Sequence, residues 1–128
     1  MNGGALGRDY GDGDVIVRQG DEGDCMFVVQ EGEVEVVAEN AGREVRLAVR
    51  KKGDFFGEMA LFEKEVRMAT VRALGPAKVL TVDKKNFVQR IHQDPSIAFR
   101  MAQAMSRRIR ELSEEVARLK GGAPEDGR

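Results

Sequence analysis

The sequence predicts a mainly β fold with C-terminal helices: a closed or folded-over β structure, then a first helix and one long helix. Three observations carry that expectation. Short apolar or alternating stretches recur from Tyr10 to Val82, and glycine-containing turns separate them. After Asp83 the apolar period changes to that of a helix. The helical pattern then runs to Lys120, where Gly121-Gly122 stops it.

The elements follow in chain order. Met1 to Gly7 is glycine-rich and is expected to be mobile, so residues 1–9 are assigned to a flexible N-terminal segment. The domain itself is placed at 10–120, with the roll over 10–82, helices over 83–120 and a flexible tail over 121–128. Val15-Ile16-Val17 reads as a strand, and Gln19-Gly20-Asp21-Glu22-Gly23-Asp24 as a turn-rich break. Cys25 to Gln30 is strand-like, Glu31-Gly32 turns the chain, and Glu33 to Glu39 alternates Glu with Val, the period of a half-buried strand. Asn40 to Arg43 makes a hairpin loop into a strand over Glu44 to Val49, which Lys52-Gly53-Asp54 closes. Ala69 to Ala73 and Lys78 to Val82 form two further strands around Gly75-Pro76. Asp83 caps a helix reaching about His92. Asp94-Pro95 then restarts the chain, with Asp as N-cap and Pro at the first helical position of a helix over Pro95 to Lys120.

Composition removes several function classes. A chain of 128 residues fits one domain with a real core. Its 21 basic and 22 acidic residues argue against a general nucleic-acid-binding surface, direct DNA binding or a polybasic membrane anchor. No apolar run approaches the ~20 residues of a membrane span, and no secretory pattern opens the chain. The single cysteine, Cys25, forms no internal disulfide and fits a cytoplasmic setting. As the start of a strand it reads as a small buried side chain rather than a nucleophile. One histidine, His92, is too few for a cupin-type metal centre or a nucleophile–histidine–acid set. Asp12, Asp14, Asp21 and Asp24 lack the spacing and closing Glu of a calcium loop, so turn chemistry accounts for them. The expectation is therefore no metal and no enzyme.

The most informative stretch is Phe55-Phe56-Gly57-Glu58-Met59-Ala60-Leu61-Phe62, followed by Val66-Arg67-Met68-Ala69-Thr70-Val71. A strand ends at glycine, a helical turn begins at Glu58, and an arginine returns a few residues later. Gly57 allows close approach of backbone to a ligand, and the first amides of a helical turn lack internal partners. Those amides suit an anion. Arg67 can add a charge-assisted bond to a phosphate oxygen. Ionised Glu58 only accepts hydrogen bonds and so suits a sugar hydroxyl. Composition alone equally allows Glu58 and Arg67 to pair with each other on the surface.

The order Phe-Gly-Glu-x-Ala-Leu, then Arg-x-Ala-Thr-Val, resembles the phosphate-binding cassette of the cyclic-nucleotide-binding domains. That family includes protein kinase A regulatory subunits, cyclic-nucleotide-gated channels and the bacterial catabolite activator protein. Gly13-Asp14-Val15-Ile16, Gln19 to Asp24, and Phe27-Val28-Val29 with Glu31-Gly32-Glu33-Val34 are similar to the family's early roll. Lys78 to Leu119, with its Asp94-Pro95 break and Arg107-Arg108, is similar to its hinge and C-helix. The resemblance covers roughly Tyr10 to Lys120 and implies a β-roll, a jelly-roll-like barrel, with a short phosphate-cassette helix, a hinge helix and a long C-terminal helix. It implies that Glu58 binds the ribose 2′-hydroxyl and Arg67 the cyclic phosphate. Amides near Gly57, Met59, Ala60, Leu61, Met68 and Ala69 would complete the cradle.

Three positions depart from the family pattern. Only nine residues precede Tyr10, so the usual N-terminal helical segment is absent or cut short. Cyclic-GMP-selective members commonly carry Thr or Ser after the cassette arginine; Met68 stands there, which tilts the expected ligand toward cyclic AMP, with cyclic GMP possible. The C-helix positions that meet the base read Leu112-Ser113: Leu112 offers packing only, whereas Ser113 can reach a purine edge.

On the last helix Ala98, Ala102, Met105, Ile109, Leu112, Val116 and Leu119 recur at spacings of four and three, a heptad seam. Ala102, Ile109 and Val116 fall at a, with Met105, Leu112 and Leu119 at d, a pattern that favours two parallel strands. The resemblance supports a homodimer through Ala98–Leu119; packing of the stripe on the chain's own roll is the other use it could serve. Arg107, Arg108 and Arg110 sit off the seam, where solvation is their expected role. The expected function is a cyclic-nucleotide-binding sensor domain whose long helix relays occupancy to an effector protein or to an effector domain missing from the chain. The alternative is a roll without ligand that serves as a dimerisation or protein-interaction module.

Overall fold

The computed structural model describes residues 7–63 and 65–121. Two compact units divide the chain after Phe87. In the first, the described residues form eight strands and one short helix: β1 (Arg8–Tyr10), β2 (Val15–Val17), β3 (Glu22–Gly23), β4 (Cys25–Asn40), β5 (Arg43–Lys51), β6 (Phe55–Phe56), α1 (Met59–Phe62), β7 (Glu65–Val66) and β8 (Thr70–Asp83). Then come α2 (Lys84–Gln93), which crosses the division, and α3 (Ser96–Gly121).

Every strand pairing is antiparallel. The main sheet runs β1-β8-β4-β5, with β2 also on β8 and β6 also on β4, while β3 and β7 form a small second sheet. The path does not return on itself, so the roll is a folded-over, unclosed sheet rather than a sealed barrel.

The length of β4 and β8 differs from the expectation. Glu31-Gly32 does not turn the chain. β4 continues through it, and its pairing to β8 slips on either side of Glu31 while Gly32 adopts φ +79°. This is a bulge, which absorbs a residue and bends a strand without ending it. Likewise β8 continues through Gly75-Pro76, where two strands were expected, with Gly75 at φ +73°. Both glycines were read locally as turns; each does take a positive φ, but pairing of β4 with β8 resumes on either side, so the strands bend there without ending. By contrast the hairpin at Asn40–Arg43 forms as expected, with positive φ at Ala41 and Gly42.

The expected mobile N-terminal segment falls mostly on residues outside those described. Arg8 and Asp9, also assigned to it, instead belong to β1, where Arg8 faces Val79 and Tyr10 faces Ala77. A three-residue edge strand leaves too little pattern to detect without its partner. Of the expected tail over 121–128, residues 122–128 lie outside those described, whereas Gly121 belongs to α3.

The core of the roll is one cluster: Val17, Phe27, Val29, Val34, Phe56, Val71, Ala73, Ala77 and Val79. Strand alternation supplies it, since Val34 is fully buried while the flanking Glu33 and Glu35 face the other side. On that other side Glu35 accepts from Arg46 and Arg72, at 2.9 Å and 2.7 Å, and Arg72 also pairs with Glu44. These charges lace β8, β4 and β5 together. Gln19 adds a two-way clamp: its side chain donates to the Glu39 carbonyl and accepts from the Glu39 amide.

The helix starts follow the sequence. Asp83 Oδ1 accepts from the Asn86 amide at 2.8 Å, capping α2. At α3, Asp94 Oδ1 accepts from the Ser96 amide and hydroxyl, bonds that hold its carboxyl below the usual range. On α3, Met101 is buried, and Ile109, Leu112, Val116 and Leu119 are exposed.

Candidate functional site

The site starts where β6 meets β4. Phe27 and Phe56 are direct register partners, and their rings stack at 5.0 Å. That apolar pair fixes the strand end from which Gly57 leaves. Gly57 has φ +74°, a conformation costly for any residue with a Cβ. Glu58 already has helical dihedrals, and α1 follows with Ala60 and Leu61 buried beneath it. The anchoring of these two side chains keeps so short a helix in place.

The return strand brings Arg67 back through backbone bonds. The Arg67 amide donates to the Asp21 carbonyl at 2.7 Å, and the Gly20 amide donates to the Arg67 carbonyl at 2.9 Å. Next to them β3 pairs with β7, Glu22 opposite Val66. The Gln19–Asp24 break is thus a docking rail for the arginine. The guanidinium is half-buried. It donates from Nη1 to the Gly57 carbonyl at 3.2 Å and from Nη2 to the Cys25 carbonyl at 2.9 Å. Its plane approaches the Phe27 ring at 5.5 Å, within cation–π range. What holds this side chain is backbone and ring, not Glu58. These bonds leave the Nε–H and a second Nη1–H for an incoming acceptor.

Two glycines make room for it. A Cβ on Gly57 would stand 2.8 Å from Nη1, and a Cβ on Gly23 would overlap the guanidinium. Cys25 lies alongside, its Sγ 3.8 Å from Nη2. Burial pushes this thiol's pKa up, and the nearby positive charge opposes that only in part, so the thiol stays protonated at neutral pH.

Gly57, Glu58, Met59, Ala60, Leu61, Arg67, Met68 and Ala69 all lie in the first unit, where Arg67 joins the two segments by its bond to Gly57. Within that set the amides of Ala60 and Leu61 already donate inside the turn, to the carbonyls of Gly57 and Glu58. Those two residues therefore serve chiefly as buried anchors. Met59 and Met68 are exposed, and Ala69 is half-buried. Leu112 and Ser113 lie on α3 in the second unit, both exposed. Sequence reasoning missed Gly23, the Cys25 carbonyl and the Phe27 ring as the seat of Arg67. The only trace was the glycine-rich run before Cys25, and a backbone carbonyl leaves no residue signature.

Among the described residues no group of three or more His, Cys, Asp or Glu gathers as a metal site, and no helix is long and apolar enough to cross a membrane.

The fold is thus an unclosed antiparallel roll that carries a glycine, a helical turn and a docked arginine. The Cyclic nucleotide-binding domain family matches residues 7–94, and the chain belongs to that family. It is 34% identical over 106 residues to the cAMP-activated global transcriptional regulator CRP of Salmonella typhimurium, covering 81% of this chain and 50% of the regulator. It is 40% identical over 81 residues to the cAMP-dependent protein kinase regulatory subunit of Blastocladiella emersonii, covering 62% of this chain and 20% of the subunit. The crystal structure of Thermus thermophilus catabolite activator protein superposes with a TM-score of 0.78 at 31% identity, over 88% of this chain and 53% of that one. The chain thus spans between a fifth and a half of the curated relatives' length.

Proposed function

We propose that this chain binds a cyclic nucleotide, cyclic AMP in preference to cyclic GMP, and acts as a sensor domain whose long helix relays occupancy to a partner. One observation carries the reading: Arg67 is seated against the Gly57 carbonyl with donors to spare, at the mouth of a helical turn. A cyclic phosphate would take those donors together with amides of the Gly57–Met59 and Met68–Ala69 segments. Glu58 would accept from the ribose 2′-hydroxyl. Met68, which offers no hydrogen bond to a guanine amino group, supports the adenine ligand, as does similarity to a cAMP-activated regulator and a cAMP-dependent kinase regulatory subunit. Leu112 and Ser113 are assigned to the base on the family resemblance alone. The partner in this reading is a second copy through Ala98–Leu119, with an effector protein or domain beyond it, in the cytoplasm and without enzymatic activity of its own.

Calorimetric titration with cyclic AMP and cyclic GMP tests this. We expect saturable binding of one nucleotide per chain, tighter for cyclic AMP. Arg67→Ala is expected to lose about 2–5 kcal/mol of it, the range for truncating one partner of a buried charge pair. An unchanged Arg67→Ala affinity would place the phosphate elsewhere. If neither nucleotide bound, the exposed stripe of α3 would favour a dimerisation module instead.

A further inference from the structure

A second arginine faces the interior of the roll. In the β4–β5 ladder Arg50 stands directly opposite Val34, and Val34 is in turn opposite Ala73 of β8. Residues directly opposite in an antiparallel pair project to the same face. Val34 is 0% and Ala73 2% exposed, so that face is the core face. On β5 it is therefore Arg50, two residues after Ala48, that stands opposite the core residue Val34, while Val49 lies opposite Glu35.

The consequence is visible at the side chain. Arg50 is half-buried, and its Nε is shut off from solvent with no hydrogen-bond partner. Among the described residues no carboxylate pairs with it, in contrast to Arg46 and Arg72 on the other face, which share Glu35. A buried donor left unmade costs more than a formed bond returns, so such a group calls for an occupant. Val34 belongs to the same cluster as Phe27, the ring beneath Arg67. Each arginine thus stands beside a member of one apolar cluster, Arg67 at Phe27 and Arg50 opposite Val34.

We infer that Arg50 is a further ligand-contacting residue, donating to the ring-nitrogen acceptor on the exposed edge of the purine while the cassette holds the sugar and phosphate. This rests on the cyclic-nucleotide reading of the Gly57–Arg67 cassette. The chemistry selects that acceptor. A guanidinium only donates, and N7 is the acceptor shared by the edges of adenine and guanine. Guanine adds O6 beside N7, which a guanidinium can grip with two parallel bonds, whereas adenine presents a donor there. Arg50 thereby narrows the preference for cyclic AMP that Met68 sets, and keeps cyclic GMP a usable ligand.

The test is a cycle of two proteins against three ligands. Wild type and Arg50→Met are titrated with cyclic AMP, cyclic GMP and 7-deaza-cyclic AMP, which lacks the N7 acceptor, and Arg67→Ala is run alongside. Methionine keeps the apolar stem and removes every donor, and a thermal melt of each variant confirms that it is folded. We expect Arg50→Met to weaken cyclic AMP roughly tenfold, the scale of a hydrogen bond from a charged donor. Cyclic GMP should weaken further, raising the ratio of the two affinities. The deaza ligand should bind wild type and Arg50→Met alike. Equal losses for all three ligands would make Arg50 a structural residue and overturn the inference, as would unchanged binding of cyclic AMP. Should Arg50→Met not fold, Arg50→Lys, which keeps the charge and loses the fork, must still shift the ratio of cyclic AMP to cyclic GMP affinity, and an unshifted ratio would overturn it. Absence of binding by wild type itself refutes the cassette reading, a failure distinct from that of Arg50 alone.

Discussion

Gly57 meets two demands that no other residue type satisfies together. Its backbone sits at φ +74°, and a Cβ there would stand only 2.8 Å from Arg67 Nη1. Gly57→Ala is expected to cost roughly 1–2 kcal/mol of stability from the left-handed conformation alone. It should also displace Nη1 and weaken cyclic AMP binding, which a melt paired with a titration separates. An alanine variant that melts and binds as wild type does would show that the turn relaxes freely. Arg67 is preorganised by the same neighbourhood. With two carbonyls and a ring already holding it, little side-chain freedom remains to be lost on binding an anion.

Among elements, β4 is the spine, pairing with β5, β6 and β8 in turn. On its core face apolar side chains pack. On the other, the Glu35 network links three strands whose order in sequence is β4, β5, β8 but whose order in space is β8, β4, β5. Hydrogen bonds from Arg72, then from Arg46, hold the Glu35 carboxyl below its ordinary value of 4.5. A carboxylate whose folded-state value is depressed favours the folded state fully above its unfolded value. That contribution is lost as pH falls through the lower, folded value. Thermal melts of wild type and Glu35→Gln should therefore differ most at neutral pH and converge as the pH drops below 4.5. A constant gap across the acid range would mean that the pairing does not drive the difference.

For the whole molecule the decisive feature is α3, a 26-residue helix whose Ile109, Leu112, Val116 and Leu119 are exposed at heptad positions. Sedimentation of wild type should show a dimer, and Ile109→Glu, which puts a charge at a central a position, a monomer. A dimer that persists in Ile109→Glu would place the interface elsewhere. Arg67→Ala should leave the sedimentation pattern intact, so that assembly and ligand binding are measured separately. The chain spans half or less of the length of the two curated relatives compared, so the sedimentation experiment bears on this segment alone.

Local chemistry determined much of this protein from the sequence alone. The Asp83 and Asp94 caps, the Asn40–Arg43 hairpin, the switch from strand to helix and the Gly57–Arg67 cassette each depend on residues close in the chain. Tertiary structure decided what depends on register. Whether Gly32 and Gly75 end a strand or bend one was settled by the partner strand across the sheet, not by the glycine. The seat of Arg67 on the Cys25 carbonyl joins residues 42 positions apart, and the inward face of Arg50 is known only once Val34 stands opposite. The physical reason is the two-residue period of a strand: slipping a pairing by one residue exchanges core face for solvent face, and only the assembled sheet fixes that choice.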